Sequence, residues 1–126
     1  MAAGIAVACP IEVSHMASPN VVELTEGNWN EHVTSGTLVV ADFWAPWCGP
    51  CRRLSSTIDA VADQFAGKVK VGKVNVDENG DLAVKYDVAT IPRVLIFKGG
   101  DQPLNTIVGL TSEAELVKML NAVIAG

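Results

Sequence analysis

Two cysteines, Cys48 and Cys51, stand three apart in the stretch WAPWCGPC, and six residues before the first lies Asp42, a carboxylate inside the apolar run VVADFW. Such a pair admits three chemistries: half of a zinc site, a structural disulfide, or two sulfurs that change oxidation state. On a helix, positions i and i+3 bring Cβ atoms to about 5–6 Å, near enough to close a disulfide with modest adjustment. Zinc would need two further ligands, and His15, His32 and Cys9 show no matching spacing. A loop this small removes little entropy from the unfolded chain, which weakens the structural reading. Reversible dithiol–disulfide exchange is the leading reading.

The surrounding residues divide the labour. Pro50 suits the first turn of a helix, where the donor it lacks would be unpaired anyway. Cys48 is then an exposed cap-like residue, and the helix N-terminus favours its thiolate. Cys51, one turn inside, stays protonated and shielded. Cys48 is expected to attack a partner's disulfide and Cys51 to release the reduced partner by attacking Cys48. Burying Asp42 is costly unless it is paired or takes up a proton. It is expected either to deprotonate Cys51 through water or to be tied to Lys73, which interrupts the next strand, and the two roles are compatible.

These residues need a scaffold. Val21–Leu24 reads as a strand, and Thr25 as the N-cap of a short helix carrying Trp29 and Val33. Thr37–Trp44 is β-branched and apolar almost throughout, which predicts a central strand buried on both faces. Leu54, Ile58, Val61, Ala62 and Phe65 form one helix face that ends by Gly67, and Val69–Val76 is the next strand. Strand, helix and strand in this order make a right-handed parallel crossover, with the cysteines at the end of the sheet where α/β proteins place their chemistry. A helical piece over Asp81–Tyr86, a strand over Arg93–Lys98, a Gly99–Gly100 turn, and a last helix with capping-box spacing at Ser112–Glu115 follow. Leu116, Leu120, Val123 and Ile124 supply the apolar face of that helix. The fold class is α/β.

With 126 residues, of which 49% are hydrophobic, the chain suffices for one core. Its net charge of −5 argues against nucleic-acid binding, and no apolar run approaches the roughly 20 residues of a membrane span. Residues 1–18 contain no Lys or Arg, unlike a signal or transit peptide. They are set apart as an N-terminal extension or vector-derived tail, with Cys9 a free thiol in it, and residues 19–126 form the domain.

WCGPC, the preceding DFWAPW and the later TIPRVLIFKGG together resemble the thioredoxin family, from about Val21 to the C-terminus. The resemblance implies a central mixed sheet of about five strands flanked by about four helices. It implies a cytoplasmic, monomeric protein-disulfide reductase with no bound cofactor or metal, whose redox-active Cys48–Cys51 disulfide is recharged by an NADPH-linked thioredoxin reductase and spent on target proteins. Cys48 matches the nucleophile, Cys51 the resolving thiol, Asp42 the buried carboxylate and Lys73 the strand lysine. Trp47 flanks the site beside Gly49 and Pro50. Pro92 matches the cis-proline that presents Ile91 backbone to an extended substrate, and Gly109 leaves room for it. Two positions depart from the pattern: Ser56 replaces a helix-kinking proline, so the helix should run straighter, and Arg93 replaces the threonine after the cis-proline. Arg52, Arg53 and Arg93, the only arginines, are expected to form a positive island that favours acidic partners. An oxidase or isomerase on the same fold, or a binding module with an incidental dithiol, are the competing functions; Gly49–Pro50 favours the reducing branch.

Overall fold

The computed structural model describes residues 18–125, so Cys9, His15 and the rest of residues 1–17 lie outside the described residues. The chain order is β1 (Val21–Glu23), α1 (Trp29–Val33), β2 (Leu38–Trp44), α2 (Gly49–Gln64), β3 (Val69–Asn75), α3 (Gly80–Lys85), β4 (Arg93–Lys98), β5 (Pro103–Val108) and α4 (Glu113–Ala125). One five-stranded sheet has the order β1-β3-β2-β4-β5. Strands β1, β3 and β2 are parallel, while β4 runs against β2 and β5 against β4.

The central place of β2 follows from its composition. Its first six residues are all buried because both faces are covered. On one face Leu38 and Val40 join Val94 and Ile96 against Leu54, Ile58 and Val61 of α2 and Leu116 and Leu120 of α4. On the other, Val39, Ala41 and Phe43 join Leu95 and Phe97 against Trp29, Val33 and Leu82. Each fully buried Leu, Ile or Phe contributes about 1.5–3 kcal/mol, so these two layers hold the sheet end that carries the cysteines. Trp29 also donates from Nε1 to Tyr86 Oη at 3.0 Å, and the Tyr86 hydroxyl donates in turn to Asp101 O at 2.8 Å. Gly72 is required by close approach: a Cβ there would stand 2.5 Å from Leu24 Cγ and Cδ1 and 2.9 Å from Val22 O.

Several local expectations need correction. Asn28 rather than Thr25 holds the cap position of α1, and its side chain turns back to the preceding loop instead of capping, accepting from Thr25 N–H at 2.7 Å, while Thr25 Oγ1 accepts from Asn28 N–H at 3.3 Å. Ile124 is 47% exposed rather than part of the apolar face, because α4 turns only Leu116, Leu120 and Val123 fully inward. Ser112 Oγ does accept from Glu115 N–H at 3.2 Å, as the capping spacing requires. Ser18, placed with the tail, hydrogen-bonds Asp63 near the end of α2, and Asn20 Nδ2 donates to the same carboxylate at 2.9 Å; both bonds hold the Asp63 carboxyl below its ordinary range.

Candidate functional site

Helix α2 begins where β2 ends, and this junction sets the two sulfurs. Cys48 is extended (φ −92°, ψ 109°) and occupies the N-cap, with Gly49 and Pro50 in the first turn behind it. Its sulfur accepts from Cys51 N–H at 3.2 Å. The same donor, with the other free N–H groups of the first turn, stabilises a thiolate when the pair is reduced. Cys48 and Cys51 are joined as a disulfide, with Cα atoms 5.2 Å apart. Cys48 is less open than its cap position suggested: 5% of it is exposed, because Ala45, Trp44, Val76 and Ile91 cover the pair.

Without proline at Ser56, α2 is continuous from Gly49 to Gln64, and Ser56 Oγ donates to Arg53 O at 3.3 Å.

Asp42 is 1% exposed and shares the α2 side of β2 with Leu38 and Val40, two and four residues before it. Neither of its carboxylate oxygens has a hydrogen-bond partner among the described residues. Burial pushes its pKa up from 3.8 to about 7, with Lys73 pulling it down and Asp59 pushing it further up. The group is therefore close to half-ionised at neutral pH. The expected tie to Lys73 is not formed, although Lys73 lies directly opposite Asp42 in the parallel register of β2 and β3. The ammonium instead reaches α2, donating to Ser55 Oγ at 2.5 Å and to Asp59 Oδ1 at 3.3 Å. Sequence reasoning missed both acceptors. The signal was present: Ser55 and Asp59 follow Cys51 by four and eight residues, the spacing that continues one helix stripe.

On the far side of the disulfide, the Ile91–Pro92 peptide is cis. Ile91 is half-buried and bridges the aromatic layer to the cysteine pair, and Pro92 is buried. Pro92 O accepts from Gly109 N–H at 2.9 Å, and Gly109 has φ +85° with open space where a Cβ would project. The glycine thus serves the strand-end turn and leaves the adjacent backbone uncovered. A Cβ on Gly49 would likewise meet nothing within 4 Å. Trp47 is 68% exposed and is held by donation from Nε1 to Asp77 Oδ2 at 3.0 Å.

The three arginines do not form one island. Arg93 alternates with Val94 and Ile96, which face α2, so its side chain joins Leu95 and Phe97 on the opposite face. Its guanidinium donates to Asp87 O at 3.4 Å and Thr90 Oγ1 at 3.2 Å, bracing the loop that leads into the cis-proline, while its Nε is buried without a partner. Arg52 is exposed and donates to Pro46 O at 2.8 Å, and Arg53 is exposed. No group of three or more His, Cys, Asp or Glu residues suited to a metal occurs among the described residues.

A family model described as thioredoxin matches residues 20–122. Thioredoxin 1 of Nostoc sp. is 41% identical over 99 residues, covering 78% of this chain and 92% of that protein. Thioredoxin of Porphyra purpurea is 37% identical over 107 residues, covering 84% of this chain and 99% of that protein. A chloroplastic M4 thioredoxin of Arabidopsis thaliana is 36% identical and covers 95% of this chain and 62% of its own length. Among solved structures, a mutant thioredoxin from Halobacterium salinarum superposes with a TM-score of 0.75 at 31% identity, covering 85% of this chain and 94% of that one.

Proposed function

The chain belongs to the thioredoxin family and is a thiol-disulfide oxidoreductase that reduces protein disulfides; from that premise we propose how its residues share the reaction. The reduced Cys48 thiolate attacks one sulfur of a target disulfide, forming a Cys48–target bond and expelling the other target sulfur as thiolate. Cys51 then gives its proton to Asp42, directly or through water, and attacks Cys48 Sγ. The Cys48–Cys51 disulfide closes and the second target sulfur leaves as thiolate, so two electrons pass to the target. The observation that carries this reading is the closed Cys48–Cys51 pair at the start of α2 with an unpaired, buried carboxyl on the α2 face of the same strand that leads into it.

The remaining residues serve binding. The cis Ile91–Pro92 edge offers backbone groups to an extended target segment, with Gly109, Gly49 and Pro50 leaving its path clear and Trp47 covering its flank. Arg93 holds the loop that presents this edge. Lys73 is the cation that moderates Asp42. No bound cofactor is required, since the disulfide itself carries the electrons. A thioredoxin reductase drawing on NADPH restores the dithiol, and the protein acts as a cytoplasmic monomer. Among the described residues no helix is long and apolar enough to cross a membrane. Purified protein with a thioredoxin reductase, NADPH and a disulfide-bonded protein should consume NADPH in proportion to target thiols released, and Cys48→Ser should abolish this. Thiol release without NADPH consumption would remove the reductase from the account, and no thiol release would remove the function.

A further inference from the structure

Asp42 and Lys73 occupy facing positions on adjacent parallel strands and the same face of the sheet, and strands lie about 4.8 Å apart. A lysine side chain is long enough to cross that gap and close an ion pair. In this structure it does not, because two acceptors on α2 claim the ammonium: Ser55 Oγ at 2.5 Å and Asp59 Oδ1 at 3.3 Å. Cys51, Ser55 and Asp59 lie one turn apart on one stripe of α2, so the helix that carries the resolving thiol also carries the groups that hold the lysine. The Lys73 and Asp59 side chains are only 14% and 23% exposed, so the contact is sheltered from solvent screening more than a surface pair is.

We propose that Ser55 and Asp59 are positioning residues: by holding the Lys73 ammonium on α2 they keep it from closing an ion pair with Asp42, and so leave Asp42 free to exchange a proton with the dithiol. The inference rests on Asp42 being the proton acceptor of the proposed reaction. The charged groups acting on Asp42 are Lys73 from β3 and Asp59 from α2; β4 presents Val94 opposite it, and α4 turns the apolar Leu116 and Leu120 onto this face. Were Lys73 to turn onto Asp42, the carboxylate would be stabilised and become a weaker base. An opposite charge brought within 4–6 Å lowers a carboxyl midpoint by about 1–3 pH units.

The test is a 13C NMR titration of the Asp42 carboxyl in the oxidised protein, in a cycle of Asp59→Asn, Lys73→Met and the double variant, with Ser55→Ala beside it. Asp59→Asn should lower the Asp42 midpoint by about 1–3 pH units when Lys73 is present and by much less in the Lys73→Met background. Ser55→Ala, which removes no charge, should shift it in the same direction by a smaller amount, and Asp59→Glu should restore the parent value. An equal shift with and without Lys73 would show only the loss of a like charge and would overturn the proposal, as would an unmoved midpoint. This titration needs no turnover. Its failure is therefore distinct from failure of Asp42 as a base, which would appear as an unchanged rate of Cys51 attack in Asp42→Asn.

Discussion

Replacing Asp42 by Asn should change how stability depends on pH, and the size follows from its environment. In the unfolded chain the carboxyl titrates near 3.8, and in the folded protein burial raises it to about 7. Between those values the folded state holds a proton that the unfolded state has lost, so stability falls as pH rises. The contribution is fully present below 3.8, is lost progressively up to about 7, and stays lost above that. About three pH units at 1.36 kcal/mol each amount to about 4 kcal/mol between pH 3.5 and 8.5. Asn keeps the size and polarity of the protonated acid and cannot ionise. Denaturant unfolding of the oxidised parent and of Asp42→Asn at several pH values, taken as a difference, cancels the other carboxylates. The variant should match the parent near pH 4 and exceed it by up to about 4 kcal/mol at pH 8.5. A difference that stays within about 1.4 kcal/mol across this range, the worth of one pH unit, would refute the argument that Asp42 is buried without a compensating partner.

Cys51→Ser should leave Cys48 able to attack but not to be released, so a target protein accumulates as a reduction-sensitive adduct on gels; Cys48→Ser should accumulate none. Gly72→Ala should cost about 1–3 kcal/mol in denaturant unfolding, since the new methyl meets Leu24 and the Val22 carbonyl at under 3 Å. Tyr86→Phe strands the Trp29 indole N–H and should cost about 1–3 kcal/mol by the same measurement. Arg93→Thr should speed amide hydrogen exchange in residues 87–91 and raise KM for a disulfide protein while leaving the Cys48–Cys51 equilibrium with glutathione unchanged. Unaltered exchange there would mean that Arg93 does not brace the loop.

The sheet was legible because its signals are local and periodic. The unbroken apolar run of β2, the helix stripe from Leu54 to Phe65 and the Gly99–Gly100 turn each specify an element, and the order of elements specifies the crossover. The site was legible through Cys48, Cys51 and Asp42, whose residue types are costly or unusual where they stand, while Pro92 was reached only through the resemblance carried by TIPRVLIFKGG. What was not legible depends on reach between layers. Lys73 has acceptors on two elements within its length, and register alone does not choose between Asp42 and Asp59. Arg93 was placed beside the dithiol by its position at the strand end, whereas counting alternation from Leu95 and Phe97 turns it to the other face. Cys48 was read as exposed from its cap position, but Trp44 and Ile91, contributed by two other segments, close over it.

The most direct test of the central claim is the equilibrium of the Cys48–Cys51 pair against graded glutathione or dithiothreitol buffers, read by thiol alkylation and mass. A two-electron couple with a potential near −270 mV, the value known for thioredoxins, is what a protein-disulfide reductase requires. A potential of about −120 mV would mark an oxidant, and a pair that failed to exchange would contradict the account altogether.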